Sequence, residues 1–146
     1  MLEAAWLIPA FPLAGFFLLL VFGRRLGEPG AGWLATLASA GAFVSTLIVY
    51  AGLLELPGEE RFHLQKLFTW VASGSFEVNA GLLIDPLAVT MSLFITGVGT
   101  LIHLYSIGYM HGDANFSKFF VYLNLFIFSM LVLVLGDNLL LTFLGW

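Results

Sequence analysis

The sequence predicts an all-α integral membrane fold: four transmembrane helices, the start of a fifth, and an extramembrane β-hairpin-like loop between the second and third helices. Sixty per cent of the residues are apolar and only 10% are charged, whereas about a quarter are charged in a soluble domain. Four apolar runs, at about 4–22, 32–54, 86–110 and 118–135, approach the ~20 residues needed to cross a bilayer. We therefore expect residues 1–146 to form a single membrane domain.

The first two predicted helices are joined by a short polar turn. Run 4–22 has no charged side chain, and Pro9 and Pro12 lie in its first third. Membrane helices tolerate proline where neighbouring groups satisfy the freed carbonyls. The turn at 23–30 leads into run 32–54, which is rich in glycine, alanine and serine. Such small residues allow helices to approach closely in lipid.

Residues 55–81 have a different character, because they contain six charged side chains. This loop is therefore expected to lie outside the hydrocarbon. Apolar and polar residues partly alternate over 62–71 and again over 76–79, on either side of Ser73-Gly74-Ser75. Alternation on both sides of a turn predicts a β-hairpin, which would lie over the helix ends.

The third helix has a strong start signal in Asp85-Pro86, with aspartate as the N-cap and proline at the first helical position. A polar turn at 111–117 separates it from the fourth helix. After a second turn, apolar run 139–146 supplies only ~12 Å of helix, which is too short to cross a membrane. We predict that this run begins a fifth helix.

Basic residues predict the orientation. Arg24 and Arg25 lie together in a short turn, whereas the long loop 55–81 has two basic residues. Lysine and arginine in short loops are retained on the cytoplasmic side. We therefore expect an extracytoplasmic amino terminus and hairpin, in a bacterial inner membrane.

One stripe of the third helix carries the residues best suited to chemistry. At 100° per residue, five residues lie within 40° of the direction of Asp85 on the helical wheel: Asp85, Ser92, Thr96, Gly99 and His103. Ionisable groups inside a span normally face protein or a wet cavity, and histidine can relay protons near physiological pH. The candidates for a proton pathway are therefore His103, Asp85, Thr96 and Ser92. A helix cap, a packing face and a hydrogen-bonded structural histidine remain the simpler interpretations.

Three further polar residues are interpreted as structural. Asn124 would join helices, Lys118 would extend to the headgroups, and Asp137 lies in a turn. His63 and His111 are too far apart in the topology to share a metal ion. No catalytic residue, metal ligand or cofactor site is expected on this chain, and nucleic acid is excluded as a partner because there is no basic patch.

Several segments resemble the L subunit of proton-translocating NADH:quinone oxidoreductase, respiratory complex I. The segments are Phe68-Thr69-Trp70, Leu83-Ile84-Asp85-Pro86-Leu87, Thr96 to Ser106, Gly108-Tyr109-Met110, Phe119-Phe120, Asn124-Leu125-Phe126, Gly136 to Leu140 and Leu144-Gly145-Trp146. The resemblance implies an antiporter-like subunit whose partners are the bilayer and other membrane-arm subunits. It also implies that NADH, FMN, iron–sulfur clusters and quinone are bound elsewhere, with no redox chemistry on this chain.

Two alternatives stay open at this point. The large subunit of a multi-subunit sodium/proton antiporter is related to the same family. A purely structural scaffold would seal the membrane arm with no proton path through these helices.

In the family, Gly-Trp precedes a functional glutamate, and this chain stops at Trp146, so we expect the amino-terminal fragment of a larger subunit that does not pump independently.

Overall fold

A computed structural model of the chain describes residues 2–146 and is mostly helical, with one two-stranded sheet. The elements in chain order are a 3₁₀ helix (Leu2–Trp6), α1 (Leu7–Leu54), a second 3₁₀ helix (Gly58–Glu60), β1 (His63–Ser73), β2 (Phe76–Ile84), α2 (Pro86–Tyr109), α3 (Phe116–Leu135) and α4 (Leu139–Gly145).

Three helical stretches are long and apolar enough to cross a membrane: Leu2–Leu54, Pro86–Tyr109 and Phe116–Leu135. Large apolar side chains point outward from them, as at Leu87 and Phe94, which are 72% and 64% exposed. A water-soluble protein rarely exposes apolar surface on this scale. The chain is therefore an integral membrane protein.

Helix α1 is interrupted at Gly27 (φ 60°, ψ −155°) and Glu28 (φ −99°, ψ 133°), and its two halves fold back on each other. A Cβ atom placed on Gly15 would lie 2.7 Å from the Ala38 Cβ, and one on Gly41 would lie 2.8 Å from the Phe11 ring. The halves are therefore antiparallel.

The expected turn at 23–30 was too long, because the non-helical backbone is confined to two residues. Charged side chains mark where the chain leaves the hydrocarbon, and a helix can continue into the headgroup region. The polar residues were therefore a poor guide to the length of the non-helical segment.

The predicted hairpin is confirmed. Strands β1 and β2 pair antiparallel from His63↔Ile84 to Ser73↔Phe76, and Gly74 has a positive φ of 59° in the turn. Only glycine adopts this conformation readily. The second strand is longer than the alternation indicated. The end of this strand, near Leu82 and Ile84, is buried against the helices. Its sequence is therefore continuously apolar and does not alternate.

The other helix bounds lie close to those predicted. Helix α2 begins at Pro86, after Asp85, whose Oδ1 accepts a 2.7 Å hydrogen bond from the Ala88 N–H. Helix α3 begins two residues earlier than expected, at Phe116. Helix α4 begins after Asn138, whose Oδ1 accepts a 3.0 Å bond from the Leu141 N–H.

Two apolar clusters fill the interior of the bundle. The first lies beneath the hairpin and includes Leu82, Ile127 and Leu131. The second lies at the opposite end and includes Phe116 and Phe120. The section of α3 between Phe120 and Ile127 therefore separates the clusters, and this section contains the candidate site.

Candidate functional site

A buried polar face of α2 is the main chemical feature of the bundle. Its four members, here called the polar stripe, are Ser92, Thr96, Thr100 and His103. Ser92 and Thr96 are fully buried and His103 is 1% exposed. The wheel predicted that the face with Ser92, Thr96, Gly99 and His103 points into protein, and the burial of these four residues confirms it. Thr100, which the wheel did not include, is partly buried.

The hydroxyl groups of the polar stripe are bonded to their own helix. Ser92 Oγ donates to the Ala88 carbonyl at 2.8 Å, and Thr96 Oγ1 donates to the Ser92 carbonyl at 2.6 Å. Thr100 Oγ1 lies 2.7 Å from the Thr96 carbonyl and 3.0 Å from Ser39 Oγ of α1. A hydroxyl has one proton to donate and two lone pairs. These oxygens therefore keep acceptor capacity after donating to the backbone.

His103 and Asn124 form the central pair of the site. The His103 Nδ1 lies 2.6 Å from the Gly99 carbonyl oxygen, and its Nε2 lies 3.0 Å from Asn124 Oδ1. A carbonyl oxygen only accepts, so Nδ1 carries a proton and donates it to Gly99. The second nitrogen, Nε2, is left as the position that can gain or lose a proton.

The orientation of the Asn124 amide is coupled to the state of Nε2. With Oδ1 facing the ring, Nε2 must carry a proton, and the buried Asn124 Nδ2 has no hydrogen-bond partner. A 180° rotation of the amide exchanges the two atoms, so that Nδ2 donates to an unprotonated Nε2. The amide can therefore partner either state of the imidazole.

Gly15 provides the space that this amide needs. A Cβ atom at Gly15 would overlap Asn124 Nδ2, and it would also lie 2.7 Å from the Ala38 Cβ. With the amide rotated, Oδ1 would lie against the Gly15 Cα–H, which is a weak donor. The site is thus formed by α1, α2 and α3 together.

Asp85 lies apart from this pair. It is 18 residues before His103, which corresponds to ~27 Å along a helix. Its carboxylate caps α2 through the Ala88 N–H. The structure therefore brings together His103 and Asn124, and Thr100 and Ser39, but it does not bring Asp85 to either pair.

The residues interpreted as structural have the following contacts. Lys118 Nζ lies 5.9 Å from the centroid of the Tyr122 ring. Asp137 N–H donates to the Gly81 carbonyl at 3.2 Å, and Asn138 Nδ2 donates to the Asn79 carbonyl at 2.7 Å. The second turn is therefore bonded to the hairpin.

Sequence reasoning missed one contact between turns. The Glu28 carboxylate accepts hydrogen bonds of 2.9 and 3.0 Å from the Gly112 N–H and lies in direct contact with His111 Nδ1. The partners are more than 80 residues apart in the chain, so no local pattern signals their pairing. Ser39 and Gly15 were missed for the same reason. Within residues 2–146, no three histidine, cysteine, aspartate or glutamate side chains are placed to hold a metal ion.

Comparison with known proteins gives consistent matches. Residues 70–120 match the family model described as NADH-Ubiquinone oxidoreductase (complex I), chain 5 N-terminus. The chain is 45% identical over 141 residues to NADH-quinone oxidoreductase subunit L of Mycobacterium tuberculosis (strain ATCC 25618 / H37Rv), covering 97% of this chain and 22% of the relative.

The similarity extends to other lineages. Subunit L of Escherichia coli (strain K12) is 42% identical over 135 residues, which is 92% of this chain and 22% of that protein. NADH-ubiquinone oxidoreductase chain 5 of Arabidopsis thaliana is 37% identical over 140 residues, which is 96% of this chain and 20% of that protein. The chain thus spans about a fifth of the length of these relatives.

Proposed function

We propose that the chain is the first part of an antiporter-like, proton-translocating subunit of the complex I membrane arm, because it is similar to NADH-quinone oxidoreductase subunit L and to the chain 5 N-terminus. Quinone reduction on other subunits drives its proton transport, and NADH, FMN and iron–sulfur clusters are bound there. The main support for this proposal is the 45% identity to a subunit L over 97% of the chain.

In this proposal the chain crosses the membrane four times and begins a fifth crossing. The two antiparallel halves of α1 are two spans, α2 and α3 are the next two, and α4 begins the last. Residues 1–146 are then one membrane domain in a bacterial inner membrane. Arg24 and Arg25 favour a cytoplasmic position for the break of α1, which makes the hairpin extracytoplasmic in this proposal. The lipid bilayer and other membrane-arm subunits are the partners.

His103 is the residue proposed to hold a proton. Its Nε2 accepts a proton and later returns it, while the Asn124 amide rotates so that its oxygen faces the protonated nitrogen and its NH₂ faces the unprotonated one. Both states keep a hydrogen bond at Nε2. The pair therefore avoids an unpaired ring nitrogen in a site where desolvated polar groups are costly.

Ser92 and Thr96 extend the proposed pathway from His103 towards Asp85. Their oxygens keep lone pairs after donating to backbone carbonyls, which provides acceptors for hydrogen bonds from water along the face. Asp85, half-buried at the hairpin end of α2, is the outer member. This route requires hydration of the polar stripe.

A scaffold is the second candidate, and one observation favours it. Every hydroxyl of the polar stripe already donates to its own helix, and Ser92 and Thr96 are fully buried. A face packed in this way can join helices without moving protons. In that case His103 and Asn124 are interhelical partners only.

The experiment compares proton translocation with assembly. His103→Gln keeps a hydrogen-bonding side chain but cannot ionise, and His103→Ala removes both properties. Each variant is introduced into the full-length subunit of the assembled complex, which is reconstituted in liposomes. NADH oxidation and acidification are then measured in the same preparation. Ser106→Ala, a buried position on the same helix, is the control for packing.

We expect both His103 variants to lower the protons moved per NADH severalfold while the complex still assembles, and Ser106→Ala to leave this ratio unchanged. If His103→Gln pumps at the wild-type ratio, the proton-holding role is wrong. If His103→Ala mainly reduces assembly while the assembled fraction pumps normally, the scaffold is correct.

A further inference from the structure

A cleft of about 480 Å³ lies between the end of the first half of α1 and the start of α3. Arg24 and Lys118 both line it. Their chain neighbours hold them there, because Ser117 Oγ donates a 2.8 Å hydrogen bond to the Gly23 carbonyl. A Cβ atom on Gly23 would lie 3.4 Å from the Ser117 Cβ, so the two backbones approach closely. Two cationic side chains from different helices therefore share one cleft.

Arg24 and Lys118 are not paired directly with a carboxylate in the part of the chain that the structure describes. The nearest acidic residues, Glu28 and Asp113, line an adjoining cavity together with Arg24 and Lys118, but they do not line this cleft. Their carboxylates contact His111 and, at 2.7 Å, a backbone N–H of the same turn. The cleft thus offers positive charge to an external anion.

The start of α3 adds hydrogen-bond donors on the same side. The N-cap residue, Asn115, makes no side-chain cap bond. The first N–H groups of a helix have no partner inside the helix, and they attract anions when no cap is present. Ser117 and Lys118 lie in this first turn.

The rest of the cleft is apolar and open. Leu20, Val21 and Tyr122 line it and are 61%, 67% and 58% exposed. Leu20 and Val21 precede Arg24 in the first half of α1, so this apolar part extends from the charged end into the predicted hydrocarbon region. A ligand that fits has an anionic head and an extended apolar body.

We propose that this cleft binds one anionic phospholipid, with its phosphate between Arg24 and Lys118 and an acyl chain along Leu20, Val21 and Tyr122. Basic pockets between membrane helices on the cytoplasmic side bind anionic headgroups in this way. The inference rests on the proposed membrane placement but not on proton translocation. It therefore survives if His103 proves to be only structural.

Arg25 provides a matched control. It is adjacent to Arg24, has the same charge, and lies in the same segment of the helix, but it does not line the cleft. The purified chain in detergent is titrated with phosphatidylglycerol, phosphatidylcholine or inorganic phosphate. Native mass spectrometry counts bound lipid, and the thermal midpoint reports protection. Arg24→Gln, Lys118→Gln and Arg25→Gln are compared, with circular dichroism as the check on folding.

We expect one phosphatidylglycerol to bind the wild type in preference to phosphatidylcholine. Arg24→Gln and Lys118→Gln should each weaken this binding about fivefold, and Arg25→Gln should leave it nearly unchanged. Equal losses for Arg24→Gln and Arg25→Gln would mean general attraction to anionic lipid and would overturn the site. Protection by inorganic phosphate equal to that by the lipid would overturn the lipid assignment.

Discussion

Replacing Asn124 by leucine tests the central pair of the site most directly. The change removes the hydrogen bond at His103 Nε2, which is 3.0 Å long in a fully buried setting. A buried group left without a partner costs about 1–3 kcal/mol. Leucine also removes Asn124 Nδ2, which has no partner of its own, and this offsets part of the loss. We expect the free energy of unfolding to fall by about 1 kcal/mol.

The interaction itself is obtained from a double-mutant cycle of Asn124→Leu, His103→Leu and the double variant. Leucine at residue 124 will also crowd Gly15, but a cost that does not depend on His103 cancels in the cycle. Hydrogen bonds between membrane helices average about 0.6 kcal/mol and reach about 1.7 kcal/mol. We expect a coupling free energy in this range.

The assay is equilibrium unfolding of the purified chain in mixed micelles with an increasing fraction of SDS, followed by circular dichroism. The wild type, both single variants and the double variant are measured under the same conditions. A coupling free energy indistinguishable from zero would refute the pairing of His103 with Asn124. A single Asn124→Leu variant more stable than the wild type would show that the polar pair costs more than it contributes.

Substitutions at three other sites, Gly15, Asp85 and Glu28, give further tests. Gly15→Ala should destabilise the bundle by about 1–3 kcal/mol, because the added Cβ would lie 2.7 Å from the Ala38 Cβ. The control Gly108→Ala, which has no atom within 4 Å of the added Cβ, should be neutral or stabilising by up to about 1 kcal/mol. Equal unfolding curves for the two variants would contradict the close packing at Gly15. Asp85→Ala should lower the free energy of unfolding by about 0.5–2 kcal/mol because the helix cap is lost, and Asp85→Asn should lower it much less. Equal losses for the two variants in the same assay would show that capping is not the main role of Asp85. Glu28→Gln should increase hydrogen exchange at the Gly112 amide, because a neutral acceptor replaces the carboxylate, and unchanged protection measured by mass spectrometry would contradict the contact.

Local patterns in the sequence were sufficient for most of the secondary structure. Alternation about Gly74 predicted the hairpin, and Asp85-Pro86 predicted the start of α2. The wheel predicted which face of α2 is buried. Each of these features depends on residues that are close in the chain, so the cause can be read directly from the order of residues.

The same patterns placed the break in α1 within the correct segment, but they did not predict its length. The turn was inferred from its polar residues, but the non-helical backbone occurs only at Gly27 and Glu28. Polarity reports the solvent around a side chain, and it does not report whether the backbone is helical. The antiparallel contact of Gly15 with Ala38 likewise depends on how two distant segments meet.

Composition and hydrophobic run length by themselves determined that this chain is a membrane protein, because so few charged residues cannot provide a water-facing surface. The pairing of His103 with Asn124, and that of Glu28 with His111, was decided only by the tertiary structure. Periodicity fixes which face of a helix is polar. The rotation and vertical offset between helices decide which residue of the next helix that face contacts, and these depend on the packing of the whole bundle.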